Sequence, residues 1–206
     1  MQAGRATSSY NVSAPQLVSA TFGTTTRLSG ASESILLAAD GSSKTLTIAG
    51  KDFGTSGKPA VWLGETVVPA ASVTRTSDTA LSVVLPAGVG GARDLVVASG
   101  YLGVAARGGV KVGYSPPSLI FASIMGGATS LNQAGGDSVT LTGTNFGSSG
   151  STGGDGTVTQ VTFQVGSFIS QCTPSQWTAT TIRCVAPAGA GSTLLVTLTV
   201  DGQATA

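Results

Sequence analysis

"TLTIAGKDFG" (Thr45–Gly54) and "SVTLTGTNFG" (Ser138–Gly147) are two versions of one pattern, in which Phe53 corresponds to Phe146. In both stretches, apolar residues alternate with small polar ones and lead into a turn that contains Phe-Gly. An alternation with a period of two residues predicts a β-strand with one buried face, and the glycine predicts a turn after it. The chain therefore repeats itself, and strands build the repeated unit.

The repeat extends beyond this pattern. "TALSVVLPAGVG" (Thr79–Gly90) matches "TTIRCVAPAGAG" (Thr180–Gly191), and "VWLG" (Val61–Gly64) matches "FQVG" (Phe163–Gly166). The second copy carries an insertion, "SSGSTGGDG", directly after its Phe-Gly turn. The chain thus contains two homologous units of about a hundred residues each, which is the usual size of an immunoglobulin-like domain.

The fold class follows from the alternation in both units. Short strands alternate with Gly, Pro, Ser and Asp turns, and no stretch of helical length carries a helical apolar period. Four stretches of the second unit place their apolar residues on one face: Val139 and Leu141; Val161, Phe163 and Val165; Ile182 and Cys184; Val196, Leu198 and Val200. The sequence predicts an all-β protein made of two tandem immunoglobulin-like β-sandwiches.

Composition excludes several classes of function. Charged residues make up 9% of the 206 residues, and ten Lys and Arg nearly balance nine Asp and Glu, so no basic face is available for nucleic acid or anionic lipid. No apolar run approaches the roughly 18 residues of a membrane-spanning helix. The chain has no histidine, and no spacing of side chains indicates a catalytic or metal site. We predict no enzyme activity, no cofactor, no nucleic-acid partner and no membrane insertion by this chain.

Three motifs of the second unit, "TLTGTNFG", "TTIRCVAP" and "PPSLI", resemble those of IPT/TIG domains. The resemblance covers residues 15–113 and 117–206 and is clearer in the second unit. It implies an immunoglobulin-like fold and a binding or structural role, without implying a reaction. It also implies a disulfide between Cys172 and Cys184, on strands predicted to be neighbours, and hence an oxidising compartment. Two buried thiols are the alternative.

The two ends of the chain are out of phase with the repeat. "SSYNVSAPQLV" (Ser8–Val18) matches "VKVGYSPPSLI" (Val110–Ile120), so the first fourteen residues resemble the last strand of a preceding domain. Sixteen residues lie between Gly100 and Pro117, whereas four follow Gly202. We predict an N-terminal strand segment (1–14), a first domain (15–116) and a second domain (117–206) that lacks its own last strand.

This arrangement predicts head-to-tail self-association into an extracellular filament or surface fibre. The candidate donor strand of one copy completes the second sandwich of the next along a candidate acceptor edge. The donor residues are Ser8, Tyr10, Val12 and Ala14, and the acceptor residues are Val196, Leu198 and Val200. The alternatives are a fragment of a long covalent array in a cell-surface adhesion protein, a glycan- or protein-binding module, and ends that carry no functional meaning. Folding of residues 1–14 back onto the second domain of the same chain is disfavoured by the distance along the tandem.

Two further residues suggest contact with sugars. Asn11 begins the sequon Asn11-Val12-Ser13, which predicts a candidate N-glycosylation site. Trp177 lies in "TPSQWTATT" and is the candidate exposed aromatic for stacking on a glycan, with ordinary packing as the alternative. Attached or bound glycans are therefore expected partners, and the expected location is extracellular or at the cell surface.

Overall fold

The computed structural model describes residues 13–98, 105–147, 160–172, 174–189 and 194–205, and side chains within 105–108 are not described. These residues form strands and one short 3-10 turn at Ala70–Ser72. In chain order the strands are β1 (Gln16–Phe22), β2 (Thr25–Leu28), β3 (Ile35–Leu37), β4 (Lys44–Lys51), β5 (Ala60–Leu63), β6 (Thr66–Val67), β7 (Val73–Ser77), β8 (Ala80–Leu85), β9 (Arg93–Ala98), β10 (Ala105–Tyr114), β11 (Ser118–Ile124), β12 (Ser138–Thr144), β13 (Gln160–Val165), β14 (Phe168–Cys172), β15 (Pro174–Trp177), β16 (Thr181–Val185), β17 (Leu195–Val200) and β18 (Gln203–Ala204).

The strands form two sandwiches of two sheets each. The first sandwich has the sheets β2-β1-β4-β8-β7 and β3-β10-β9-β5-β6, and the second has β11-β12-β16-β15 and β14-β13-β17-β18. The described pairings are antiparallel except for β3, which runs parallel to the end of β10. The predicted all-β class with two immunoglobulin-like sandwiches is confirmed. The residue bounds of the three predicted segments stay a prediction.

The second sandwich is a smaller version of the first. Strands β11, β12, β13, β14, β15, β16 and β17 correspond to β1, β4, β5, β6, β7, β8 and β9. Among the described residues it has no counterpart of β2 or β3, and the two-residue β18 stands where the first sandwich has the ten-residue β10. Of the residues that follow the last turn, Gln203 and Ala204 pair with Val200 and Thr199 as this short strand.

The repeated Phe-Gly pattern fixes the packing of each sandwich. Phe53 is fully buried, and a Cβ added to Gly50 would collide with its ring and with the carbonyl oxygen of Gln16 at the start of β1. Gly143 has the same relation to Phe146 in the second sandwich. A glycine is needed at this point because the aromatic ring lies directly against the backbone of the strand.

A disulfide joins Cys172 at the end of β14 to Cys184 in β16, with 5.9 Å between the two Cα atoms. These strands belong to opposite sheets, so the expectation that the two cysteines lie on neighbouring strands was wrong. The bond therefore ties the two sheets of the second sandwich together.

An ion pair connects the two sandwiches. Asp201 and Gly202 form the two-residue loop between β17 and β18, both with positive φ (46° and 74°), as a type I′ hairpin turn requires. The buried Asp201 carboxylate accepts a hydrogen bond of 2.7 Å from the Arg93 guanidinium in the first sandwich. Gly90 leaves space for this carboxylate, since an added Cβ would overlap it.

A second set of contacts holds the same junction. The side-chain oxygen of Asn145 accepts a hydrogen bond of 3.2 Å from the Ala39 amide, and its amide nitrogen donates to the Pro116 carbonyl. The Gly147 amide donates to the Ala39 carbonyl at 3.1 Å. The Phe-Gly turn of the second sandwich is therefore hydrogen-bonded to the first sandwich.

Replacing both Cys172 and Cys184 by serine should destabilise the second sandwich by about 2–4 kcal/mol, because the cross-link no longer restricts the unfolded chain. Trp62 lies in the first sandwich and Trp177 in the second, so single-tryptophan variants report each sandwich separately. In denaturant unfolding, the transition followed by Trp177 fluorescence should shift to a lower denaturant concentration. The transition followed by Trp62 fluorescence should stay in place and serves as the control. An unshifted Trp177 transition would contradict a stabilising role for the bond.

Replacing Arg93 by methionine should destabilise the folded tandem by about 1–3 kcal/mol, because the buried Asp201 carboxylate then loses a cationic partner while most of the packing of the long side chain remains. Thermal unfolding of the whole chain measures the effect. The matched control is Lys111→Met, which removes the exposed pair with Asp94 at 3.4 Å and should cost no more than about 1 kcal/mol. Equal effects of the two substitutions would count against a structural role for the junction.

Candidate functional site: an open groove in the second sandwich

A groove with a volume of about 530 Å³ opens between the two sheets of the second sandwich. One wall is β11 and the other includes β13, β14 and β17, and the segment after β16 closes one end. The described lining carries no charged side chain, and it combines apolar residues with the polar residues Ser123, Thr129, Ser130, Asn132, Gln133 and Ser170. Its principal apolar residues are Ile124, Val139, Phe163, Phe168, Pro187 and Val196.

The corresponding space in the first sandwich is filled by β10. Val110 and Val112 of this strand are fully buried and Tyr114 is 5% exposed. The alternation places these three side chains on one face of β10, and this face points into the core. The groove of the second sandwich is therefore the place that a full-length last strand would occupy.

Strand β1, which β10 covers, is more buried than its counterpart β11 in the second sandwich. In β1, Leu17 is 6% exposed and Ala20 is fully buried. In β11, the corresponding Leu119 is half-buried and Ala122 is exposed. The inner face of β11 thus lies open although its sequence is as apolar as that of β1.

The sheet edge beside the groove is only partly paired. β18 pairs with Thr199 and Val200 of β17, and the Thr205 amide donates to the Leu198 carbonyl at 2.8 Å. Along an antiparallel strand, the backbone N–H and C=O groups that point to one edge belong to every second residue. After Val200 and Leu198, the next groups on this edge of β17 therefore belong to Val196. Val196 pairs on its other side with Phe163 and has no strand partner on this edge among the described residues. The edge can therefore extend a β-ladder.

Tyr114 shows how the last strand is anchored in the closed sandwich. Its hydroxyl donates a hydrogen bond of 2.6 Å to the Pro86 carbonyl oxygen, and its backbone amide donates to Gly90. Burial raises the pKa of the Tyr114 hydroxyl, and the nearby Arg93 guanidinium opposes this rise. The hydroxyl therefore stays protonated and remains a donor at neutral pH.

The predicted acceptor residues line this region. Leu198 and Val200 are buried and Val196 is half-buried at the groove. Of the predicted donor residues, Ala14 is exposed, whereas Ser8, Tyr10 and Val12 lie outside the described residues. The sequon residue Asn11 also lies outside them.

Trp177 is not the exposed platform that the sequence suggested. Its side chain is half-buried and packs against the core. Its indole N–H donates a hydrogen bond of 2.8 Å to the Phe146 carbonyl oxygen. The indole therefore anchors the Phe-Gly turn, and its polar group is already used inside the sandwich.

Other kinds of site find little support in the described part of the chain. No group of three metal-ligating side chains occurs there. Asp40 instead binds Lys44 and Ser42 in its own turn, and these hydrogen bonds, with Lys44 foremost, hold the pKa of Asp40 well below its usual range. No helix of this part is long and apolar enough to cross a membrane.

Sequence reasoning missed two features of this region. One is the junction pair of Arg93 and Asp201, which no local pattern indicates. The other is the different surroundings of the two Pro-Ala-Gly turns, at 86–88 and 187–189, which the repeat had aligned. The repeat placed the turns in register, but only the structure shows that a ring covers the first and that the second lines the groove.

Comparison with known proteins gives the following matches. The model of the IPT/TIG domain family matches residues 34–106 and 127–206. No curated protein matches the chain. Among solved structures, the chain is similar to the surface glycan-binding protein PbSGBP-B of Prevotella bryantii, with 13% identity and a TM-score of 0.46 over 94% of this chain and 41% of that chain.

Two further solved structures are similar at comparable levels. SGBP-B from a complex xyloglucan utilization locus in Bacteroides uniformis has 18% identity and a TM-score of 0.33, over 94% of this chain and 48% of that chain. The extracellular region of plexin A4 has 16% identity and a TM-score of 0.37, over 92% of this chain and 17% of that chain. The chain thus spans less than half the length of each of these proteins. Because the family model matches most of the chain, once in each sandwich, the protein belongs to the IPT/TIG domain family.

Proposed function

We propose that this chain is a non-catalytic extracellular or cell-surface module whose second sandwich accepts an extended β-strand. In this proposal, copies associate head to tail, with residues 8–14 of one copy docked in the groove of the next. The observation that carries the proposal is the difference between the sandwiches, because β10 fills in the first the space that lies open in the second.

The shape and chemistry of the groove favour a strand as its occupant. One side offers backbone groups at Val196 that can continue a ladder, and the walls offer apolar side chains. Strand addition uses both features, since backbone hydrogen bonds give affinity and alternate side chains fill pockets. The absence of charged lining residues argues against a ligand held mainly by ionic contacts.

The sequence of the N-terminal segment supports a second copy as the partner. Residues 8–14 align without gaps to 110–116, which contain the end of β10. In this alignment Ser8, Tyr10 and Val12 share the face that points into the core in β10. A contact between different surfaces of identical copies propagates into a fibre when its rotation does not close a ring.

Glycan binding is the second candidate. Two of the similar solved structures are described as surface glycan-binding proteins, and that activity is theirs. In this chain Trp177 is half-buried and its indole N–H is bonded inside the sandwich, whereas Phe168 at the groove is 60% exposed. The remaining alternative is that the chain is a fragment of a long covalent array. In that case a following segment of the same protein, rather than a neighbouring copy, fills the groove.

The sedimentation behaviour of the 206-residue chain tests the proposal. The intact chain should form concentration-dependent linear assemblies, visible as filaments by electron microscopy. Removal of residues 1–14 should leave monomers, because the donor is lost while all described strands remain. A chain that stays monomeric at every concentration, or that binds an oligosaccharide panel as a monomer, would refute head-to-tail docking.

A matched pair of substitutions separates docking from general charge effects. Tyr10→Lys should weaken association by about a hundredfold, because a lysine on the inner face would be buried without a partner. Ser9→Lys adds the same charge on the opposite, outer face of the segment, where β10 carries the exposed Lys111, and should leave association nearly unchanged. Equal effects at the two positions would rule out a strand with one buried face.

A further inference from the structure

A glycine in the first sandwich is explained by the ring that covers it. An added Cβ at Gly88 would lie 2.7 Å from two ring atoms of Tyr114. The hydroxyl of this ring donates to the carbonyl oxygen of Pro86, two residues earlier. The turn Pro86–Gly88 thus holds the aromatic side chain of the last strand by a flat contact and one hydrogen bond.

The second sandwich has a turn of the same sequence without a ring, and the loop before β12 packs on one side of it, because the Gly189 amide donates to the Gln133 carbonyl oxygen at 3.0 Å. Pro187 and Gly189 correspond to Pro86 and Gly88 and line the groove. An added Cβ at Gly189 meets no described atom within 4 Å, and the backbone there lies outside the left-handed region. Neither steric contact nor backbone conformation in the described sandwich therefore requires glycine at this position.

We infer that Pro187 and Gly189 form a subsite for a tyrosine side chain of the docked strand, and that Tyr10 of the neighbouring copy occupies it. This inference rests on the proposed strand docking and adds the side chain that anchors the strand. The ring lies on Gly189, and its hydroxyl donates to the Pro187 carbonyl oxygen.

Occupation by Tyr10 determines the register of the docked strand. The ungapped alignment pairs Val12 with Tyr114, so placing Tyr10 in the subsite shifts the segment by two residues. A two-residue shift keeps each side chain on the same face of the strand. Valine would leave the space above Gly189 partly empty and has no hydroxyl to donate. The shifted register therefore places a ring and a hydroxyl donor at this turn, where the ungapped register places a valine.

The shift also lengthens the connection between copies. Residues 11–15 then join the docked tyrosine to β1, whereas residues 115–117 join Tyr114 to β11. Two more residues in this connection give the joint between copies more freedom than the junction between the two sandwiches of one chain.

Peptide binding tests the inference. A synthetic peptide of residues 1–14 is titrated into the chain that lacks those residues, and binding is measured by calorimetry. Tyr10→Ala in the peptide should weaken binding by about 30-fold or more, as for a buried aromatic anchor. Tyr10→Phe should weaken it by about 3- to 10-fold, since one hydrogen bond is lost.

The complementary change is Gly189→Ala in the chain. It should weaken binding of the wild-type peptide by about tenfold or more but leave binding of the Tyr10→Ala peptide unaffected. A coupling of this kind identifies a direct contact. Gly91→Ala is the matched control, because an added Cβ there also meets no atom within 4 Å, and it should change neither peptide's affinity. Thermal unfolding of both variants checks that the sandwiches remain folded.

The outcomes distinguish this inference from strand docking itself. If the wild-type peptide binds but Tyr10→Ala binds equally well, or Gly189→Ala has no effect on it, the tyrosine subsite is refuted and strand docking stands. If a Val12→Ala peptide loses binding and Tyr10→Ala does not, the ungapped register holds instead. If the wild-type peptide does not bind at all, both proposals fail.

Discussion

The first sandwich depends on the burial of an apolar strip between its two sheets. In the first sandwich, Val112 and Tyr114 of β10 cover this strip. Val112 also pairs with β9, and both residues pair with the short parallel strand β3. A β-sheet edge beside uncovered apolar side chains is the feature that natural proteins normally close. In the second sandwich the same strip lies open, and the shape of the groove, the exposure of β11 and the absence of a described β3 counterpart have this single cause.

The junction between the sandwiches is built from the same short region as the edge of β17 that is proposed to accept a strand. The Asp201-Gly202 turn that contacts Arg93 also starts β18, and Gln203 in β18 donates a hydrogen bond of 3.3 Å to the Tyr114 carbonyl. The position of β18 is therefore fixed by the first sandwich as well as by β17. In the proposed docking, a strand would meet an edge that the junction has already oriented, which would lower the entropy lost on docking.

The sequence predicted features that local patterns encode and missed those set by long-range contacts. The alternation in "SVTLTG" correctly placed Val139 and Leu141 in the core, because a period of two leaves one face buried. The pair of Arg93 and Asp201 joins residues 108 positions apart, and no local signal marks such a contact. Trp177 looked exposed because its loop is polar, whereas its N–H has a carbonyl partner inside the fold. The cysteines looked adjacent because the repeat gives strand order but not which sheet each strand joins.

The position of the disulfide agrees with this division between a closed and an open sandwich. The chain has two cysteines, and both lie in the second sandwich. The first sandwich is closed by the buried side chains of β10 and has no cross-link. The second lacks that burial, and the bond between β14 and β16 ties its two sheets together across the core at a gain of about 3 kcal/mol. Under the proposed strand docking, such a tie would suit a sandwich that stays folded before the strand binds, because stability supplied in this way does not require the space that the strand would fill.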